Sequence, residues 1–104
     1  MRCPTFLLIC FMSSASVAAS FDCGKAGNVV EKAICGDGEL SRLDDQLARR
    51  FQALRESLPQ EEAAQLRQGQ INWIKERNRQ CKADTACLIR FYTENHLLAK
   101  IDAS

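Results

Sequence analysis

The chain has 104 residues, 46% of them hydrophobic, with 14 Lys and Arg against 13 Asp and Glu. So even a charge balance offers no strong field for nucleic acid or an anionic membrane surface. The length admits one small domain that buries only about 60–65% of its unfolded surface, so a staple is expected, and six cysteines are available to supply one.

Residues 1–20, MRCPTFLLICFMSSASVAAS, have the layout of a secretory signal peptide. Arg2 precedes an apolar run from Phe6 to Met12, too short to span a bilayer, and a small-residue tail follows. Ser16-Val17-Ala18, Val17-Ala18-Ala19 and Ala18-Ala19-Ser20 all satisfy the small-residue cleavage rule, which puts the mature start between Ala19 and Phe21. A lipid anchor fits less well, because Cys10 follows bulky Ile9 and Cys23 follows Phe21-Asp22. The expected product is one domain over residues 21–104, periplasmic or secreted, with no membrane span. Loss of Arg2 leaves it formally neutral. Acids outnumber bases six to three from Asp22 to Asp45, whereas Arg67 to Lys82 carries five bases and one acid. Two oppositely charged helix faces account for that asymmetry.

Gly27-Asn28 marks the start of a short helix, VVEKAIC, stopped by Gly36. The strongest periodic signal follows. Leu40, Leu43, Leu47, Phe51, Leu54 and Leu58 recur at helical spacing, with Asp37 placed to cap the start and Glu39 to meet the positive end of the dipole. Pro59 breaks this run and marks the next helix, about 60–80, whose seam is Ala63, Leu66, Gln70, Trp73, Ile74 and Arg77. After the loop CKADTAC, where Asp84 or Thr85 can cap, a last helix presents Leu88, Phe91, Tyr92, Asn95, Leu98 and Ile101. Strand signals, repeats and low-complexity segments are absent.

The expected fold is all-α, a small disulfide-stapled antiparallel bundle of one short N-terminal helix and three longer ones. Cys3 and Cys10 leave with the leader, so Cys23, Cys35, Cys81 and Cys87 form two bridges, for which three pairings are open. Cys23–Cys35 with Cys81–Cys87 is favoured, because each closes a local loop without demanding a particular long-range packing.

Few residues point to bond-making chemistry. No C-x-x-C pair suits structural zinc or haem attachment, and His96 has no ligand-spaced neighbour, so neither a metal nor a cofactor is expected. Ser41 and Ser57 lack a nucleophile elbow, and bridged cysteines offer no thiolate. The adjacent carboxylates Asp44-Asp45 and Glu61-Glu62 diverge by about 100° on a helix and read as surface charge. Gly36-Asp37-Gly38 is a helix stop and cap, not a phosphate loop. The chain is therefore not expected to be an enzyme.

One stripe remains. On the third helix Gln70, Trp73, Arg77 and Cys81 share a face about 80° wide. Its reading is mainly structural: a core centred on Trp73, with Gln70 as an acceptor for the indole N–H or a bridge to a neighbouring helix, and an inward Arg77 paired with Asp44.

FDCGKAGNVVEKAIC, LSRLD, QINWIKERNRQC and CLIRFY, taken together, resemble the lysozyme inhibitor LprI-like family. The matching positions are Cys23, Lys25-Ala26, Glu31, Ile34-Cys35, Leu43-Asp44, Gln70, Trp73, Arg77, Cys81, Cys87-Leu88 and Tyr92, spanning Phe21 to about Leu98. Asn95 stands where the family often has arginine. The resemblance implies an exported, helical, disulfide-bonded protein with a protein partner, lysozyme or a related cell-wall hydrolase, inhibited by occlusion of its cleft. Asp37 and Glu39 are then the candidate partner-binding residues, beside their plainer roles as cap and dipole compensation. The alternative is an envelope structural or interaction module that binds another protein through the basic helix of residues 67–82.

Overall fold

The computed structural model describes residues 19–95 and Leu97. The expected leader up to Ala18, His96, and Leu98 and Ile101, both expected on the last helix's inner face, lie outside these residues.

A single turn of 3-10 helix, Cys23–Lys25, leads into four helices: α1 (Val29–Gly36), α2 (Gly38–Ser57), α3 (Gln60–Cys81) and α4 (Thr85–Thr93). Each boundary follows from local chemistry. The Asn28 side chain accepts from the backbone N–H of Glu31 at 2.8 Å, and Glu31 reaches back to accept from Gly27 N–H at 2.8 Å. Asp37 alone separates α1 from α2. Its own N–H closes the end of α1 on the Ile34 carbonyl, and its carboxylate opens α2 by accepting from Leu40 N–H at 2.9 Å. Gly36 stops nothing by a left-handed turn, since no described glycine has a positive φ. Pro59 stands immediately before α3, and Asp84, not Thr85, caps α4 through Cys87 N–H. Lys82, with φ 49°, carries the sharp turn between α3 and α4 in the region that favours glycine.

The favoured disulfide pairing is the one formed. Cys23–Cys35 ties the 3-10 turn to the end of α1, and Cys81–Cys87 closes the α3–α4 corner. The all-α stapled bundle is as expected, except that α4 spans only nine residues and is barely longer than α1.

That brevity decides where the core lies. At 1.5 Å per residue α2 is about 30 Å long, whereas α1 and α4 are each about 12–14 Å. α2 packs against α1, α3 and α4, and its buried residues, Leu40, Ser41, Leu43, Asp44 and Leu47, all lie in its first half. Ile34, Leu40, Leu47, Leu88 and Tyr92 are therefore fully buried, while Phe51, Leu54 and Leu58 are only half-covered. The apolar seam of α2 continues beyond the bundle into a two-helix arm formed with the start of α3.

Candidate functional site

The polar interior of the bundle is built where α2, α3 and α4 converge. The register of α2 puts Asp44 one position after core Leu43, and Asp44 is 6% exposed. From α3, Arg77 enters at 5% exposure, and from α4, Tyr92 enters fully buried. The Tyr92 hydroxyl donates to Asp44 Oδ1 at 2.6 Å and accepts from Arg77 Nη1 at 2.8 Å. Asp44 Oδ2 accepts from both the backbone N–H and the hydroxyl of Ser20, the former at 2.7 Å. Arg77 Nε donates to the neighbouring Asn78 side chain at 2.9 Å.

This arrangement corrects the expected Arg77–Asp44 pair. Among the described residues no nitrogen of Arg77 comes within ion-pair distance of a carboxylate. Tyr92 stands between the two charges and joins them through one hydroxyl, which is both donor and acceptor. Burial, then the Asp44 charge, drives the phenol's pKa well above its ordinary value, with Arg77 opposing. The phenol therefore keeps its proton and donates it to Asp44.

Trp73 does not sit at the centre either. It is half-buried at the rim, with its ring centroid 5.0 Å from that of Tyr92, edge-on, and 5.3 Å from that of Phe91. The Arg77 guanidinium carbon lies 5.9 Å from the indole and 6.0 Å from the phenol ring. Gln70 is half-buried one turn away and forms no hydrogen bond with the indole among the described residues. Cys81, the last member of the stripe, is buried in its disulfide.

A cleft of about 120 Å³ opens beside this network, lined by Ser20, Glu31, Asp44, Gln70, Trp73 and Arg77 among others. The polar groups around it mostly satisfy one another. Three donors meet the Asp44 carboxylate, and the tyrosine that would have to ionise to act as a base is held protonated. Such a network ties α2, α3 and α4 together through buried polar contacts.

The remaining singled-out residues lie elsewhere. Asp37 is occupied as the α2 cap, and Glu39 is exposed, paired with Arg42 at 2.9 Å across one turn. Ser41 is buried and donates to the Ile34 carbonyl at 2.7 Å, locking α1 to α2. Asn95 is buried after the end of α4 and accepts from Leu97 N–H at 2.9 Å. Ser20 and Asn78 went unread in the sequence. Ser20 falls in the small-residue tail of the expected leader, and Asn78, one turn after Ile74, is polar at the edge of the α3 seam, so neither carries a signal.

The model of a family described as lysozyme inhibitor LprI matches residues 22–98. No curated protein and no solved structure gives a significant match.

Proposed function

The chain belongs to the lysozyme inhibitor LprI family, and from that membership we propose that it is an exported binding protein that inhibits lysozyme, or a related cell-wall hydrolase, by covering its cleft. The observation that carries this reading is the family match across nearly the whole described domain, residues 22–98. Two further features support it. The buried charges satisfy one another inside the bundle, so recognition falls to the outer surface. Two disulfides brace that surface, and a rigid surface loses less entropy on binding. No helix among the described residues is long and apolar enough to cross a membrane.

Glu39 is the better placed of the two candidate acids. It projects from the first turn of α2 with its side chain about half exposed, whereas Asp37 is committed to its cap. Against a basic hydrolase, such an acid acts mainly on the encounter rate.

The test is a turbidity assay of lysozyme on bacterial cell walls with the mature protein in stoichiometric excess. Lysis slows if the reading holds, and undiminished lysis rejects it. A second reading, an envelope interaction module, draws on exposed Arg67, Lys75 and Arg79, which share an α3 face about 120° wide. A pull-down from envelope extract with a charge-reversed Arg67/Lys75/Arg79 variant separates the two. Recovery of identical partners by wild type and variant counts against this second reading.

A further inference from the structure

Ser20 joins the small-residue tail of the leader to the buried network. Its backbone nitrogen lies 2.7 Å from Asp44 Oδ2, and its hydroxyl donates to the same oxygen. Asp44 is 6% exposed, whereas Ser20 stands at the surface. The three cut points that the leader allows treat this carboxylate differently. A cut after Ser20 strips Asp44 of both donors and leaves only the Tyr92 hydroxyl. A cut after Ala18 keeps a neutral amide at Ser20. A cut after Ala19 converts that same nitrogen into an α-ammonium whose charge falls on a buried carboxylate.

We propose that the leader is removed between Ala19 and Ser20, and that the freed α-ammonium of Ser20 pairs with Asp44 to complete the internal polar network. The step is hydrolysis by a leader-cleaving endopeptidase. Water breaks the Ala19–Ser20 amide, its oxygen goes to the Ala19 carboxylate, and its two protons go to the Ser20 nitrogen. Ala19 is 1% exposed in the folded chain, so the bond is cut before the bundle closes over it. Loss of the Ala19 methyl removes one small apolar contact, which the new ion pair offsets.

Charge balance at the cleft supports the pair. From α1 comes Glu31, from α2 Asp44 and from α3 Arg77, while the protonated Tyr92 of α4 stands behind them, bonded to Asp44 and Arg77. With Ser20 ionised, two cations face two anions. Nearby on α2, Asp45 and Arg49 pair with each other at 2.7 Å, and Glu56 lies further along the groove beside Ser20. An α-amine that gains a carboxylate partner has its pKa raised above the ordinary value of about 7.7–8.0. Its contribution is thus complete below about pH 7.7 and disappears as pH climbs through the raised value.

Two measurements test the proposal. Intact mass and N-terminal sequencing of the exported protein should find Ser20 first; Ala19 or Phe21 first overturns it. A chain that starts at Ser20 is then compared with the same chain acetylated on its α-amine. At pH 6 and low salt the acetylated chain should melt at least about 4 °C lower, with the gap closing near pH 10 and absent in the Asp44→Asn background. Equal melting at pH 6 contradicts the pair. Should Asp44→Asn fail to fold, an NMR titration of the wild-type α-amine decides: a value above about 8 supports the pair, and an ordinary or lowered one overturns it.

Discussion

Tyr92 does at one atom what a direct ion pair does elsewhere. Its hydroxyl satisfies Asp44 and Arg77 together, and neither charge is left facing apolar atoms alone. Arg77 and Tyr92 were legible in the sequence, and Asp44 only in part, because its place beside Asp45 also read as surface charge whereas it is buried. Asp44 follows a core leucine, Arg77 falls on the seam of α3, and Tyr92 lies on the inner face of the last helix. Their order in space was not legible, because the Tyr92–Asp44 bond joins positions 48 apart and no periodicity reports which side chain reaches first. The raised phenol pKa has a measurable consequence. A group protonated more tightly in the folded state holds its stabilisation below the unfolded value, about pH 10, and gives it up as pH rises further. Tyr92 is the one tyrosine in the chain, so absorbance near 295 nm reports it alone. Above pH 10 tyrosinate should appear only together with loss of helical circular dichroism. Ionisation of the phenol in a still-folded chain would contradict its buried, doubly bonded state.

Among the elements, α2 shows how far periodicity carries. The spacing from Leu40 to Leu58 foretold one helix and its inner face, and a cap and Pro59 foretold its ends. The same spacing overstated the core, because burial depends on what lies opposite, and the buried residues of α2 all lie in its first half. The arm made by the end of α2 and the start of α3 is thus held by two helices alone, with Phe51, Leu54 and Leu66 half-covered. Amide exchange should register this division: protons of residues 52–66 are expected to exchange at least about tenfold faster than those of residues 40–47 and 77–81. Uniform protection along both helices would show that the arm is as firmly held as the base.

For the whole molecule, a small core is combined with two local staples. In the loop-closure model the 12-residue separation of Cys23–Cys35 is worth about 3 kcal/mol, and the 6-residue separation of Cys81–Cys87 about 2 kcal/mol. Together they approach the total of about 5–15 kcal/mol expected of a small domain. Full reduction should therefore lower the melting midpoint by more than about 20 °C, read by circular dichroism with and without reductant. A reduced chain that melts where the oxidised one does would show that the core alone suffices. The pairing was legible because both bridges are local. The site's orientation about Tyr92 was not, because it emerges only when α2, α3 and α4 meet.

The account stands most directly on the claim that the buried Asp44–Tyr92–Arg77 relay holds the fold. Thermal unfolding of Tyr92→Phe tests it by removing one oxygen while keeping the ring. A loss of about 2–3 kcal/mol, or roughly 8–24 °C in the midpoint, is expected, because both charges lose their shared partner. A Tyr92→Phe chain that melts with the wild type would contradict it.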